Sequence, residues 1–194
     1  MKIEHIKTSD LETNTWSGGT TTQLAIYPKN ADYKMQNFLF RISTASVECE
    51  ESTFTKLPGI SRKLMILDGE IKIEHKNHHS KIIKKFEQDK FLGDWNTKSY
   101  GKAIDFNLMT KENTTGEIEA ITLNESIDIN LKSSTDCYGF YLYSGKTKMI
   151  INNNVLNINN GDFVLIFPEK EESVLNLKTS LKSEIILSKI RFNN

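Results

Sequence analysis

Short apolar or alternating segments dominate the chain, and Gly, Asn, Asp or Lys interrupts them about every 8–12 residues. The segments are rich in Ile, Val, Phe, Tyr and Thr, which suit a pleated, half-buried strand. No window keeps an apolar repeat of 3.6 residues, and the best helix candidate is a single turn capped by Ser9 and ending by Thr13. The pattern therefore predicts an all-β sandwich or barrel with very little helix. The predicted strands span residues 23–27, 38–49, 63–67, 70–75, 81–86, 103–109, 117–123, 127–131, 138–144, 148–151, 155–158, 163–167, 174–177 and 185–190.

Two glycine-containing turns indicate that one β unit is duplicated. The dipeptides Asp68-Gly69 and Ser144-Gly145 each separate two apolar segments, which predicts two short hairpins. After each glycine come a strand, a polar turn and another strand. The polar segment KENTTG at 111–116 then marks the join, so we predict halves at residues 1–112 and 113–194 that form one compact unit.

Charge and hydropathy restrict the kinds of binding partner that the chain is expected to have. Lys+Arg and Asp+Glu both number 25, so the net charge is zero and nothing favours nucleic acid or an anionic membrane overall. The longest apolar run, 163–167, is far shorter than the roughly 20 residues of a membrane-spanning helix. The first residues, MKIEHIKTSD, lack the apolar stretch of a secretory signal. We therefore expect a cytoplasmic protein with no nucleic-acid or membrane partner.

Three segments of the first half resemble the HutD/Ves family. They are WSGGTTTQL at 16–24, FRISTA at 40–45 followed by Phe54 and LPGISR at 57–62, and GKAIDFNLM at 101–109. Their order and separation match the family, and DFNLM after a glycine is its most specific element. The resemblance covers about residues 1–110. It departs at Thr22-Gln23, where many members have Arg-Glu, and at Ser61, where an Asp often precedes the arginine.

The resemblance implies a bicupin fold, in which two cupin-like β-sandwich or barrel halves stack on each other. It implies no established catalytic activity, and it suggests a role in bacterial histidine utilisation through binding of a pathway metabolite. In the second half, Gly161-Asp162 before a short apolar strand is also common in cupin barrels, where the Asp can cap local backbone amides.

Strand alternation predicts a polar cluster in the first half. It places Arg41 with Ser43 on one face of segment 38–49, and Asp105 with Asn107 on one face of segment 103–109. Inside a barrel, the guanidinium would pair with a ligand carboxylate, while the hydroxyl and amide would fix its orientation. Arg62, which follows a Pro-Gly turn, would add a second positive group at the mouth.

A structural interpretation of the cluster stays open. Arg41 and Asp105 could form a buried ion pair, since buried charges are normally paired. The segment 18–22, GGTTT, likewise has two interpretations. Backbone N–H groups around Gly19 and Thr22 could cradle an anion with Trp16 as a pocket wall, or the segment could simply lead into the first strand.

The histidines do not follow the metal-binding pattern that many cupins share. Three of the four, at positions 75, 78 and 79, lie in the predicted hairpin tip EHKNHHS. His75 and His79 could share an adventitious zinc ion, but the tip is expected to be solvated. We therefore predict no metal site, no cofactor and no metal-dependent dioxygenase or isomerase activity.

These observations favour non-catalytic binding of a small carboxylate metabolite. Family resemblance points to a histidine-degradation intermediate, namely formylglutamate, formiminoglutamate or urocanate, and to a regulatory role in histidine utilisation. One alternative is a metal-free cupin enzyme, an isomerase or hydrolase with Asp105 as its base. Another is a protein-interaction or stress-related module without a small ligand. Edge strands of cupin halves favour pairing between copies, which predicts a homodimer.

Overall fold

The computed structural model describes residues 1–132, 136–169 and 172–193, which divide into two compact units. The central unit comprises Glu12–Thr114, and the split unit comprises Met1–Leu11 together with Thr115–Asn194. The sequence-based division at 112/113 differs from this one because it assigns the chain's first segment to the first half. The structure joins that segment to the second half, since strand β1 (Lys2–Ile6) pairs antiparallel with β16 (Phe163–Phe167).

Strands account for nearly all regular structure in both units. The helical turn predicted near Ser9 exists as a 3₁₀ turn over Thr8–Asp10, but Ser9 lies inside it and the N-cap, Lys7, makes no side-chain capping bond. Among the described residues, no helix has the length and hydropathy that a membrane crossing requires. The strands of the central unit are β2 (Thr13–Trp16), β3 (Gly19–Tyr27), β4 (Phe40–Val47), β5 (Glu51–Thr53), β6 (Ile60–His75), β7 (Ser80–Lys84), β8 (Gln88–Leu92), β9 (Thr97–Tyr100) and β10 (Ala103–Lys111). Those of the split unit, besides β1 and β16, are β11 (Thr114–Leu123), β12 (Ser126–Leu131), β13 (Cys137–Ser144), β14 (Lys146–Ile151), β15 (Asn154–Asn159), β17 (Ser173–Lys178) and β18 (Ser183–Phe192).

The central unit is built around the long strand β6. Its strands follow the order β2-β3-β4-β10-β6-β9-β5, and β7 and β8 also pair with β6. The first part of β6 pairs with β10 and β8, and the part after Gly69 pairs with β7 and β9. One strand therefore serves two layers, which lets the sheet curl around an interior.

The hairpin predicted at Asp68-Gly69 is wrong, because β6 continues through it. Gly69 has φ +84°, and a Cβ there would lie 2.6 Å from the carbonyl oxygen of Lys102. The register between β6 and β10 shifts between Ile104 and Asp105, which marks a β-bulge. The glycine thus permits a bend at a point where the strand changes partners.

The hairpin predicted at Ser144-Gly145 is also wrong, because the strands on either side of it do not pair with each other. Strand β13 pairs with β16 and β18, whereas β14 pairs with β15 and β17, so the two flanking strands lie in different sheets. Gly145 has φ +97°, and a Cβ there would lie 2.3 Å from Oγ of Ser183. Both units therefore use a left-handed glycine where the chain passes from one layer to the next.

The split unit has two sheets, ordered β1-β16-β13-β18-β11 and β12-β17-β14-β15. Buried apolar side chains from both sheets form one continuous cluster that includes Tyr138, Phe140 and Met149. Asp162 caps a local amide as predicted, because its carboxylate accepts a bond from the backbone N–H of Asn159 (3.0 Å). It also accepts a bond from the backbone N–H of Thr8 (2.9 Å), which is distant in sequence. The predicted all-β fold is confirmed.

Candidate functional site

Strand register gathers the predicted polar residues on one sheet face of the central unit. Strand β10 pairs with β4 on one side and β6 on the other, and Met109 lies opposite both Arg41 and Arg62. Two residues earlier, Asn107 lies opposite Ser43. Because side chains alternate along a strand, these residues and Asp105, again two residues back, point to the same side. The face predicted from alternation is the one that the structure shows.

Arg41 is oriented by neutral groups. Its Nε donates to Oε1 of Gln23 (2.8 Å), and its Nη1 donates to Oγ of Ser43 (3.1 Å). The guanidinium carbon also lies 4.3 Å from the ring centre of Tyr33, within cation–π range. Burial lowers the pKa of Arg41 below its usual value. These contacts hold the guanidinium in place without neutralising its charge.

Arg62 lies between two aromatic rings. Its guanidinium carbon is 4.8 Å from the ring centre of Phe54 and 5.1 Å from that of Phe91. Its side-chain Nε is buried and has no hydrogen-bond partner. Burial lowers the pKa of Arg62 to about 10, and the charge of Arg41 acts in the same direction, while Tyr33 and Asp105 oppose it. The arginine nevertheless stays charged near neutral pH.

Asp105 is buried without a close partner. Within the described ranges, no hydrogen bond to its carboxyl is found, and no basic group lies within 4.0 Å of it. The buried Arg41–Asp105 ion pair considered from the sequence is therefore absent. Burial raises the pKa of Asp105 to about 7, and the more distant charge of Arg62 only partly opposes this rise.

The site has more hydrogen-bonding capacity than the protein itself uses. Arg41 and Arg62 are each 7% exposed, and neither has a carboxylate within ion-pair distance among the residues that the structure describes. The side-chain oxygen of Asn107 is also buried without a partner. Buried polar groups are normally hydrogen-bonded, so these unpaired donors and acceptors on one face are available to bind a small polar molecule.

Apolar side chains border the polar face on both sides. Met109 packs with Phe38, Leu57 and Ile60, with Tyr33 against them. A second cluster holds Leu64, Ile66 and Phe91, with Phe54 against it. The interior is therefore a low-dielectric environment, in which charges interact more strongly than they do in water.

Sequence reasoning missed the role of four side chains that contact the arginines. Gln23 appeared only as a departure from the family pattern, and Phe54 only as part of a motif. Tyr33 and Phe91 were not considered. Tyr33 lies outside the strands, so alternation gives no signal for it, and Phe91 lies in β8, a strand that the sequence did not predict. The buried–exposed alternation of β8 is the signal that was available.

The glycine-threonine segment does not join this cluster. Trp16 and Gly19 are the paired ends of the β2–β3 hairpin, and Trp16 is 37% exposed. Thr22 lies opposite Thr44, on the sheet face away from Arg41, and its hydroxyl is 2.7 Å from that of Thr13. The structure thus separates Trp16, Gly19 and Thr22 from the arginines, because the segment forms a hairpin rather than a loop.

Gly19 has a steric role that mutation can test. A Cβ at this position, where φ is +151°, would lie 1.8 Å from the carbonyl oxygen of Ser46. We expect Gly19→Ala to lower the free energy of unfolding by about 2–3 kcal/mol or more, measured by chemical denaturation. Gly59→Ala is the matched control, because Gly59 has φ +75° but open space around it, and should cost only about 1 kcal/mol. Equal losses in the two variants would contradict the steric explanation.

The predicted solvated histidine tip is wrong for His75, which is 3% exposed. Its Nε2 lies 3.0 Å from a carboxylate oxygen of Asp89, and Nε2 of His79 lies 2.9 Å from the same oxygen. The sequence pattern did not predict β8, the strand that carries Asp89. It therefore gave no indication that Asp89 is the partner of these histidines.

Fold and site together define a cupin-like β protein whose central unit has a cationic, partly unsatisfied interior. The sequence profile of the HutD family matches residues 8–187, so the chain belongs to the HutD family. A search of curated proteins found no match.

Solved structures agree with this assignment at the level of fold. A conserved protein of unknown function from Pseudomonas aeruginosa superimposes with TM-score 0.87 at 14% identity, covering 98% of this chain and all of the other. The structure of HutD from Pseudomonas fluorescens in a formate condition superimposes with TM-score 0.77 at 14% identity, and both chains are fully covered. The nickel(II) complex of a bacterial pirin from Escherichia coli gives 0.69 at 9% identity, covering 97% and 98% of the chains.

Proposed function

We propose that the central unit binds a small carboxylate metabolite between Arg41 and Arg62 and does not convert it. The observation that carries this proposal is the pair of buried guanidinium groups without an acidic partner in the described part of the chain. Burying two like charges is unfavourable unless an anion neutralises them. A bound carboxylate would do so and would also satisfy the free Nε of Arg62.

The second unit offers a useful contrast. Its interior cluster is apolar, with Leu, Ile, Val, Met and aromatic side chains from both sheets. A related fold therefore forms a core without buried arginines, which indicates that the cupin-like architecture itself does not need them. Burial of these charged side chains, Arg41, Arg62 and Asp105, lowers the stability of the fold. Ligand binding would explain why they are present.

The surrounding groups favour a ligand that carries more than a carboxylate. The free side-chain oxygen of Asn107 would accept a bond from an N–H group, and Asp105, whose pKa burial raises to about 7, could donate or accept a proton. Formylglutamate, formiminoglutamate and urocanate combine carboxylate with nitrogen groups, and membership of the HutD family makes a regulatory role in histidine utilisation the working hypothesis. The structure of HutD from P. fluorescens belongs to a formate condition, and formate is the simplest carboxylate that the proposed site would bind. We expect the protein to act in the cytoplasm.

A ligand screen tests this proposal directly. The untagged protein would be heated with formate, formylglutamate, formiminoglutamate, urocanate, glutamate and histidine in turn. A ligand at about 100 times its dissociation constant adds about 2.7 kcal/mol to stability. For a chain of this length that corresponds to a rise of about 5–10 °C in the melting temperature.

Arginine variants locate the binding site. We expect the shift to disappear in Arg41→Met and to persist in Arg191→Met, which removes an exposed arginine from the split unit. A shift that survives loss of Arg41 would place the ligand elsewhere. No shift with any of the acids, together with no binding by calorimetry, would refute the proposal.

A second candidate function is general acid–base catalysis by Asp105. It is favoured by one observation, namely that burial raises the pKa of this carboxyl to about 7, which suits proton transfer near neutral pH. Incubating each bound acid with the protein and recording NMR spectra in D₂O would test it. Product signals or solvent exchange that disappear in Asp105→Asn would establish catalysis, and unchanged spectra would leave binding as the function.

A further inference from the structure

A second cluster of chemically active side chains lies at the tip of the β6–β7 hairpin. His75 ends β6, His79 directly precedes β7, and Asp89 lies in β8, which pairs with β6. The backbone N–H of His75 donates to the carbonyl of His79 (2.8 Å), so the turn fixes the two histidines side by side. Their ring centres are 4.6 Å apart.

The geometry of this cluster suits a metal ion. One ligand atom from each of the three residues lies within 4.8 Å of the others. Both Nε2 atoms approach the same oxygen of Asp89, at 3.0 Å from His75 and 2.9 Å from His79. In a tetrahedral zinc site with bonds of about 2.0–2.1 Å, neighbouring ligand atoms are about 3.3 Å apart. Both histidine–carboxylate distances are therefore within a few tenths of an ångström of the spacing in a zinc site.

The surroundings resemble the support that metal ligands usually have. Nδ1 of His75 lies 2.8 Å from the hydroxyl of Thr97, a contact that orients the ring and leaves Nε2 for the metal. The ring also packs against Phe91, with ring centres 4.6 Å apart, and against Trp95 at 5.3 Å. A ligand ring held on several sides loses little freedom when it binds a metal.

The cluster is also accessible from solvent. His75 and Asp89 are buried, whereas the side chain of His79 is 40% exposed. An ion could therefore enter from the side of His79, and water could occupy a fourth position. Two imidazoles and one carboxylate suit zinc and other divalent first-row transition metals better than Mg²⁺ or Ca²⁺, which prefer all-oxygen sites.

We propose that His75, His79 and Asp89 bind a divalent transition metal ion of the zinc class, with one coordination position open to solvent. This site shares no ligand residue with the proposed carboxylate site, although the ring of Phe91 contacts both His75 and Arg62. The sequence did not predict it as a functional site, because His75 and His79 appeared solvated and Asp89 lay in a strand that was missed.

Trp95 provides a direct optical readout. The chain has two tryptophans, and Trp16→Phe leaves only Trp95, whose ring centre is 5.3 Å from that of His75 and 5.8 Å from that of His79. Untagged Trp16→Phe protein, stripped of metal by a chelator, would be titrated with Ni²⁺ or Cu²⁺, which quench tryptophan fluorescence. Zn²⁺ would be titrated separately against a chelating dye of known affinity.

We expect one Zn²⁺ per chain, and saturable quenching of Trp95 by Ni²⁺ that Zn²⁺ reverses. His79→Ala, at a partly exposed position, should weaken binding by at least about 100-fold, and Thr97→Val should weaken it by about 10-fold through the ring of His75. Asp89→Asn provides a second test of ligand loss. Circular dichroism would confirm that each variant is folded.

His78→Ala is the matched control. His78 stacks on Trp95, with ring centres 3.7 Å apart, but it is not part of the three-residue cluster. Its removal should leave Zn²⁺ affinity within a factor of about 3. The proposal is overturned if the unchanged protein does not bind, if His79→Ala binds as well as the unchanged protein, or if loss of His78 weakens binding as much as loss of His79.

Discussion

A protein in which methionine replaces Arg62 is expected to be more stable than the unchanged protein and to lose carboxylate binding. The guanidinium is buried between Phe54 and Phe91, its Nε has no partner, and burial lowers its pKa to about 10. Methionine has a similar length and packs well against aromatic rings. Removing a buried, uncompensated charge should therefore raise the free energy of unfolding by about 1–2 kcal/mol, after the lost cation–π contacts are deducted.

The expected loss of binding is much larger. A desolvated, charge-assisted bond to a carboxylate is typically worth 2–5 kcal/mol when one partner is removed, so affinity should fall by about 100-fold or more. Stability would be measured by urea denaturation without ligand at pH 6, and affinity by calorimetry with the acid identified in the screen. Arg191→Met, at an exposed position, should change neither quantity appreciably.

A functional arginine differs from a structural one in how its loss changes stability and ligand affinity. Loss of a functional arginine raises the free energy of unfolding and lowers ligand affinity. If Arg62 were part of a structural ion pair, its loss would leave a buried charge unpaired and destabilise the fold by about 3–5 kcal/mol. A destabilisation of that size, with ligand affinity unchanged, would contradict the binding proposal. Gain of stability with loss of binding is the pattern expected where a site is maintained for function.

Alternation along strands predicted the polar face because that property is local. Within any strand, residues two apart share a side, so Arg41 with Ser43 and Asp105 with Asn107 follow from the sequence once the strands are found. Which strands become neighbours is not local. From the sequence, an Arg41–Asp105 ion pair remained an open alternative, whereas the register places Arg41 opposite Met109 and Asp105 opposite Ala45.

The errors in the fold have a related cause. A Gly after Asp or Ser between apolar segments predicts a hairpin, yet the same dipeptide also allows a strand to bend and continue. Gly69 and Gly145 have the second role, and only the partners on each side of the glycine reveal it. The histidine cluster was missed for the same reason, since the partner of His75 arrives 14 residues later on a polar strand.

Replacing Asp105 with asparagine is expected to change how stability depends on pH. Burial raises the pKa of this carboxyl from its ordinary 3.8 to about 7 in the folded protein. Between about pH 4 and pH 7 the folded chain therefore holds a proton that the unfolded chain releases, so stability falls as pH rises through this window. The contribution is fully present below about pH 4 and lost above about pH 7.

The size of this effect makes it measurable. Each pKa unit corresponds to about 1.4 kcal/mol, so the unchanged protein should lose up to about 4 kcal/mol from this group between pH 4 and pH 8. The Asp105→Asn protein has no titrating side chain at position 105, so its stability should not show this contribution to the loss. It should match the unchanged protein near pH 4 and exceed it in stability at pH 8, as measured by urea denaturation across the range.

The same proton links stability to binding. An anion held by the two arginines would lie near Asp105, and it would be repelled by the ionised carboxylate but could accept a hydrogen bond from the protonated form. Carboxylate affinity should therefore rise as pH falls from 8 to 6 in the unchanged protein and stay nearly constant in Asp105→Asn. Parallel pH profiles of affinity in the two proteins would place the ligand away from Asp105. A loss of stability on replacing Asp105, equal at every pH, would show that the carboxyl has a structural partner and that its burial has been compensated within the fold.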